Sequence, residues 1–312
     1  MKILNKKILE ELIININSRT GIRNDILEKD YYVCLILKEL ASKQKELQAY
    51  FKGGTAVYKI LDYMNRFSED IDLTVKVDEN QSNNRNKTRL KKSVLGYNID
   101  GLKLVGDETI DKKGSITSFY QYDSLFSLNE LFKLERIQIE ATSFTVSEPV
   151  SIYTIEPLVY KYATEEEKSI LKEKYNISEF EIEIIKLERI FIDKIFAAEF
   201  YYERKMYEDV SKHLYDISIM IKNDNIKELL ENKNELTKLI GYKRKEEKSR
   251  LGGIPEEKEI IDFDYMNSEF NDDLVNAFNK MQKIYVMDNK SIITIDDVKN
   301  TIKILVSVLK KL

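Results

Sequence analysis

Hydrophobic and polar residues follow two different periods along the chain. Apolar residues recur every three to four positions over 2–18 and again from Asn24, which is typical of helices. Residues 70–77 instead alternate apolar and polar side chains, several of them β-branched, which predicts a strand with one buried face. By the same criteria we predict four further strands, at 49–52, 101–108, 115–126 and 134–146.

The pattern changes beyond Pro157, where helical periods dominate. Helices are predicted at 177–205, 208–223 and 294–312, the last opening at a Thr-x-x-Asp start signal. The sequence therefore predicts an α+β protein with two domains. The first, residues 1–155, has N-terminal helices and a mixed sheet, and the second, residues 156–312, is an all-helical bundle. Glycines and a proline predict an exposed loop at 242–259.

Composition narrows the classes of function. The 312 residues are 43% hydrophobic and 33% charged with a net charge of −4, which indicates a globular protein without a global field that would attract nucleic acid. One cysteine, Cys34, and one histidine, His213, exclude a zinc site. No apolar run approaches the roughly 20 residues of a membrane span. Lysines interrupt the first stretch, so we expect no secretory signal, no membrane partner and a cytoplasmic location.

Two of the ten glycines stand side by side in "YFKGGTAVYKI" (50–60). Gly53 and Gly54 follow a predicted strand and precede a helix predicted from Thr55. The pair can be a plain tight turn, or a place where the backbone approaches a ligand closely. If a helix begins there, its free N–H groups form an anion site to which the Thr55 hydroxyl can add a contact.

A pair of carboxylates follows in "RFSEDIDL" (66–73). Asp70 and Asp72 project from the same face of a strand, because successive side chains alternate between faces. Two neighbouring carboxylates repel each other, and a hard cation such as Mg²⁺ would neutralise them. The polar face of the strand at 134–146 offers a third ligand, Glu140, with Glu135 as the alternative if the register differs by one residue.

A phosphate-binding turn followed by a metal-binding carboxylate pair predicts transfer of a nucleotidyl group. The competing phosphate motifs G-x-x-x-x-G-K-[ST] and G-x-G-x-x-G are absent from the sequence. We expect Mg²⁺ as the cofactor, with Mn²⁺ as an alternative.

The segments "FKGGTAVYKI" and "RFSEDIDL" resemble the AbiEii/AbiGii family of abortive-infection toxins, within the DNA polymerase β-like minimal nucleotidyltransferase superfamily. "LEKDYYV" (27–33) resembles that family's helix before the first strand. The similarity spans roughly residues 24–220. It implies a polymerase β-like nucleotidyltransferase domain followed by a helical domain.

The resemblance also implies roles for residues of the helical domain. Lys194 matches the family's conserved lysine, and Lys212 and Asp216 match its K-D-x-x-D segment, although His213 stands where the family usually has Asp. We expect Lys194 and Asp216 to be catalytic. Lys212 and Lys59 are expected to bind the nucleotide together with the glycine turn.

The function implied is that of a phage-defence toxin which transfers nucleotides from an NTP, in some relatives onto the 3′ acceptor end of tRNA. Its partner would be a cognate antitoxin from the same operon, which in this family often acts without a stable complex. Two alternatives stay open, namely transfer of AMP to a protein hydroxyl and a sensor that binds GTP or ATP without chemistry. A basic stretch, Arg85 to Lys92, is our candidate contact for RNA, with 243–250 as the next.

Overall fold

The computed structural model describes residues 6–61, 66–126 and 135–312. These residues contain thirteen α-helices and eight strands. The helices are α1 Lys6–Thr20, α2 Asn24–Leu47, α3 Gly53–Ile60, α4 Asn83–Leu95, α5 Leu158–Lys161, α6 Glu165–Tyr175, α7 Leu187–Tyr202, α8 Tyr207–Met220, α9 Asp224–Glu231, α10 Lys233–Ser249, α11 Asp264–Asn267, α12 Asp272–Tyr285 and α13 Ile295–Leu309. The strands are β1 Ala49–Lys52, β2 Ile71–Val75, β3 Leu102–Leu104, β4 Ile110–Lys112, β5 Ser115–Tyr122, β6 Arg136–Thr142, β7 Val150–Ile155 and β8 Phe180–Ile185.

The chain divides into two compact units. The first unit comprises residues 1–60 and 67–184, and the second comprises 61–66 and 185–312. The division falls later than the boundary expected at 155–156. The reason is that β7, α5, α6 and β8 belong to the first unit, since β8 extends its sheet beside β1.

All eight strands form one mixed sheet in the order β3-β5-β6-β2-β1-β8-β7, with β4 paired to β5. Strand β2 lies inside the sheet, antiparallel to β1 and parallel to β6. Its apolar face is buried at Ile71 and Leu73, as the alternating sequence predicts. The predicted α+β class, a mixed sheet joined to a helical region, is confirmed.

Strand β8 corrects the sequence prediction, which placed residues 180–185 inside a helix. The segment "FEIEII" alternates, so that Ile182 and Ile184 are buried while Glu181 is exposed. Phe51 of β1 pairs with Ile184 in a parallel register. Pairing with a neighbouring strand decides such a segment, because strand propensity depends strongly on context. The part of the chain beyond residue 155 is therefore not all-helical.

The second unit is built on α7 and α8. Both helices bury large apolar side chains, including Phe191, Phe196, Leu214 and Ile217. Helix α13 begins at the predicted Thr-x-x-Asp signal, where Thr294 and Asp297 form a capping box. No helix among the described residues is both long and apolar enough to cross a membrane.

A second correction concerns residues 242–259, expected as an exposed loop. Helix α10 continues to Ser249, and Lys243, Glu246 and Glu247 within it are buried. The Arg189 guanidinium on α7 donates to Glu246 Oε1 at 2.6 Å, and Lys243 Nζ lies 2.8 Å from Glu247 Oε1. These opposite charges neutralise one another, which permits burial of a segment that composition marks as solvated.

Candidate active site

The turn between β1 and α3 brings the glycine pair against a carboxylate. Helix α3 begins at Gly53 itself, two residues before the predicted start at Thr55. Gly53 has φ +81°, and a Cβ atom built on it would lie 1.9 Å from Asp72 Oδ2. Position 53 therefore needs glycine for two reasons, a backbone conformation that L-residues disfavour and the close approach of the Asp72 side chain.

Strand pairing gathers the charged residues on one face of the sheet. Asp72 is the register partner of Lys52 on β1 and of Glu140 on β6. Directly paired residues on neighbouring strands project to the same face, so Glu140 and Lys52 flank Asp72. This register places Glu140 beside Asp72, while Glu135 lies before β6 begins. Sequence reasoning did not single out Lys52, although its position directly before the glycine pair was a usable signal.

Asp70 is exposed and lies immediately before β2. The Thr55 hydroxyl donates to the Asp70 carbonyl at 2.5 Å and lies 3.0 Å from the Ser68 hydroxyl. Thr55 is 1% exposed. Its side chain therefore holds the backbone that carries Asp70, and it is not presented to a phosphate in the way we expected.

Lys59 also departs from the expected role. Its ammonium forms an ion pair with Asp30, and both side chains are buried. Burial by itself would lower the pKa of Lys59, but the Asp30 carboxylate outweighs burial and raises it. The charge on Lys59 is committed inside the first unit and is not available to a nucleotide.

The residues of the first unit suit a hard cation. Asp70 is exposed, and Asp72 and Glu140 are half-buried, so carboxylate oxygens meet solvent on this face. Magnesium prefers such oxygen ligands and keeps several waters. Among the described residues, Asp70, Asp72 and Glu140 do not form a three-carboxylate group with ligand atoms within 4.8 Å of one another.

Three other carboxylates do approach that closely. In the second unit, Glu199, Glu203 and Asp264 offer carboxylate oxygens that all lie within 4.8 Å of one another, close enough to coordinate one metal ion together. However, the Lys258 ammonium already lies among them, 2.5 Å from Glu199, 3.0 Å from Glu203 and 3.1 Å from Asp264. Burial lowers the pKa of Lys258, and its hydrogen bonds to the three carboxylates raise it by more. The cluster therefore already contains a cation.

Lys194 and Asp216 meet in the second unit. Lys194 Nζ lies 2.8 Å from Asp216 Oδ2, and Arg66 donates to both oxygens of the same carboxylate at 2.7 and 2.9 Å. Asp216 is fully buried. Burial raises its pKa, but Arg66 and then Lys194 outweigh burial and hold the pKa below its usual range. Arg66 lies in the motif RFSEDIDL, but the sequence predicts no role for it, because its partner Asp216 lies 150 residues away.

His213 and Lys212 lie on the same helix as Asp216 but have other neighbours. The His213 ring stacks on Tyr201 at 5.4 Å, and its Nδ1 is buried with no hydrogen-bond partner among the described residues. Burial, followed by the positive charge of Lys194, lowers the pKa of His213 well below its usual range. Lys212 is half-exposed, 3.9 Å from Asp209 and 5.2 Å from the centre of the Tyr285 ring.

A comparison with known protein families matches most of the chain. Residues 35–294 match the family described as nucleotidyl transferase AbiEii toxin, type IV TA system. The match begins after "LEKDYYV" and continues well past the predicted limit near residue 220, so most of the helical second unit is included. No curated protein matches the chain. Since the match covers most of the sequence, the chain belongs to the AbiEii family of nucleotidyltransferase toxins of type IV toxin–antitoxin systems, which implies an NTP substrate and a cognate antitoxin.

Proposed function

We propose that this protein transfers a nucleoside monophosphate from an NTP to the 3′ end of tRNA, with Mg²⁺ held by Asp70, Asp72 and Glu140. The observation that carries the proposal is the register of Asp72 with Glu140 on adjacent parallel strands. The Asp72 carboxylate also lies against Gly53, at the N-terminus of α3. Carboxylate oxygens that would bind the metal and the N–H groups at the start of α3 thus lie at one end of the sheet, where a triphosphate would need both.

The residues divide the work of an in-line displacement. A hydroxyl of the acceptor loses its proton to water and attacks the α-phosphorus; a new P–O bond forms, and the bond to the β-phosphate oxygen breaks to release pyrophosphate. The bound cation, Mg²⁺ or Mn²⁺, would neutralise charge on the phosphates and lower the pKa of the attacking hydroxyl. The Gly53 and Gly54 backbone would cradle the phosphates, and Thr55 keeps Asp70 in place through its carbonyl.

We propose Lys194 and Asp216 as functional residues of the second unit that act together as one ion pair, with Arg66 fixing Asp216. Lys194 is 6% exposed and its charge is committed to Asp216, so, like Lys59, it is not proposed to contact the triphosphate. The half-exposed Lys212 of α8 is the proposed phosphate-binding lysine of this unit.

The proposed RNA contact is narrower than the sequence indicated. Arg89 is buried and donates to Gln48, Asn86 and the Lys76 carbonyl, so it is a structural residue of α4. Lys91 lies 3.5 Å from Asp111. The proposed contact on α4 therefore rests on the exposed Arg85, Lys87 and Lys92, and the second basic segment, 243–250, also exposes Lys245 and Lys248.

Incubation with each α-labelled NTP, Mg²⁺ and total cellular RNA tests the function, with Asp72→Asn as the matched control. Label is expected in RNA of tRNA size on a denaturing gel, and it should disappear with EDTA and with the control. Label in protein would show AMP transfer instead. NTP retained on the protein with no labelled product would indicate a sensor, and either result overturns the proposal.

A further inference from the structure

Helix α2 buries three successive charged residues. Glu28, Lys29 and Asp30 are 1%, 4% and 0% exposed. Desolvating charges costs several kcal/mol for each ion, and apolar side chains of similar size often stabilise a fold equally well or better. Consecutive helical residues point about 100° apart, so these three side chains reach three different neighbours.

Asp30 holds the helix that follows the glycine turn. Its carboxylate pairs with Lys59 of α3 and accepts from the Tyr58 hydroxyl at 3.3 Å. The other oxygen accepts from the Leu158 backbone N–H at 2.7 Å, at the start of α5. One buried carboxylate therefore ties α3, whose first residue contacts Asp72, to α2.

Glu28 holds the segment after β5. It accepts from the Ser124 hydroxyl at 2.7 Å and from the Leu125 backbone N–H at 2.8 Å. This segment follows the strand that pairs with β6, the strand of Glu140.

Lys29 reaches the metal-binding loop itself. Its ammonium forms an ion pair with Glu69, whose neighbour in the chain is Asp70. The Asp70 carbonyl is held on its own side by the Thr55 hydroxyl. The Glu69–Asp70 segment is thus held by two separate elements, α2 through the Glu69 side chain and α3 through the Asp70 carbonyl.

We infer that Glu28, Lys29 and Asp30 form a buried brace that positions the metal-binding carboxylates, with Lys29 as the positioning residue for Asp70. The inference rests on the proposed function for its consequence in catalysis, although the bracing itself is a property of the first unit. A displacement of about 1 Å at a reacting group can cost about 100-fold in rate.

The test uses the full-length protein with Lys29→Met and a matched control, Lys38→Met. Lys38 lies on the same helix and donates to Asn176 and Ser178, away from the carboxylates. Hydrogen–deuterium exchange over residues 66–73 reports the order of the Asp70 segment without any need for activity. Transfer rate and the Mg²⁺ concentration for half-maximal rate report its consequence.

Lys29→Met should accelerate hydrogen–deuterium exchange over residues 66–73. It should also lower kcat by at least about 10-fold and raise the Mg²⁺ concentration needed for half-maximal rate. Lys38→Met should leave exchange at 66–73 and kcat unchanged. Lys29→Arg should recover part of the rate because it keeps the charge. The double variant Lys29→Met/Glu69→Gln should be less impaired than Lys29→Met alone, since no carboxylate is left stranded.

Each outcome decides one of the two claims. Unchanged exchange over 66–73 in a folded Lys29→Met protein overturns the brace, whatever the activity. An equal loss of kcat in Lys29→Met and Lys38→Met would mean that Lys29 only stabilises the fold, and this result also overturns the brace. A wild-type protein that transfers no nucleotide overturns the proposed function, and the exchange experiment still tests the brace. If Lys29→Met fails to fold, Glu69→Gln supplies the same exchange comparison from the half-buried partner.

Discussion

Asp70 and Asp72 of the first unit and Asp216 of the second unit lie in opposite environments. In the first unit Asp70 and Asp72 stand at the start of β2, exposed or half-buried, next to a glycine backbone. In the second unit Asp216 is fully buried and already bound by Arg66 and Lys194. A carboxylate near solvent can recruit a cation, whereas a buried one must receive its cations from the chain. Environment, more than residue type, separates a candidate ligand from a structural ion pair.

The largest effect is expected at the solvent-facing carboxylates. Asp72→Asn keeps the side-chain shape beside Gly53 but removes a metal-binding charge, so transfer should fall by on the order of 10³-fold or more. The protein should still fold in the absence of metal, because asparagine keeps the side-chain shape beside Gly53 and the change lessens repulsion between neighbouring carboxylates. Labelled-NTP transfer and a thermal melt measure the two effects. Transfer within about tenfold of wild type would remove Asp72 from the metal site.

The next largest effect is expected at the buried aspartate, Asp216. Asp216→Ala strands two buried cations, so the free energy of unfolding should fall by about 3–5 kcal/mol, and activity should be lost with it. Urea denaturation measures the loss. Adding Arg66→Met should recover part of it, because one stranded charge is removed. A change below about 1 kcal/mol would mean that the buried ion pair contributes little to stability.

A substitution at the glycine turn sharpens the comparison within the first unit. Gly53→Ala should cost about 1–2 kcal/mol for its left-handed backbone. The new Cβ should also displace the Asp72 carboxylate and lower transfer by roughly 10- to 100-fold. Gly252→Ala is the matched control, since Gly252 has φ +70° and a Cβ atom built on it would lie 3.4 Å from the flexible Arg204 guanidinium, with no carboxylate nearby. Similar stability losses but equal activity in both variants would contradict a site at Gly53.

The smallest expected effect is a dependence of the free energy of unfolding on pH. The pKa of His213 is lowered in the folded protein, first by burial and then by Lys194. Below about pH 6.5 the unfolded chain therefore binds a proton that the folded chain does not, so stability should decrease as pH falls from there. Above about pH 6.5 this histidine contributes no slope. His213→Phe retains a ring that can stack on Tyr201, and it should flatten the dependence seen in urea titrations between about pH 6.5 and 5. An unchanged slope would place the titrating group elsewhere.

The local features of the first unit follow from sequence alone. Alternation over 70–77 is a property of neighbouring residues, so it predicts β2 and the common face of Asp70 and Asp72 without any partner. Adjacent glycines likewise mark a backbone position that a side chain would disturb. These signals, together with the motifs that resemble the family, suffice to predict the fold class and the candidate metal site.

Long-range pairing decided what the sequence could not. Residues 180–185 became a strand because β1 offers a free edge, and α10 buried its charges because Arg189 lies opposite Glu246, 57 positions away. The ion pairs of Lys59 with Asp30 and of Arg66 with Asp216 likewise join residues 29 and 150 positions apart. Whether a lysine meets a nucleotide or a buried carboxylate depends on which distant groups folding brings beside it. Periodicity reports only which face of an element is apolar, so this choice belongs to the tertiary structure.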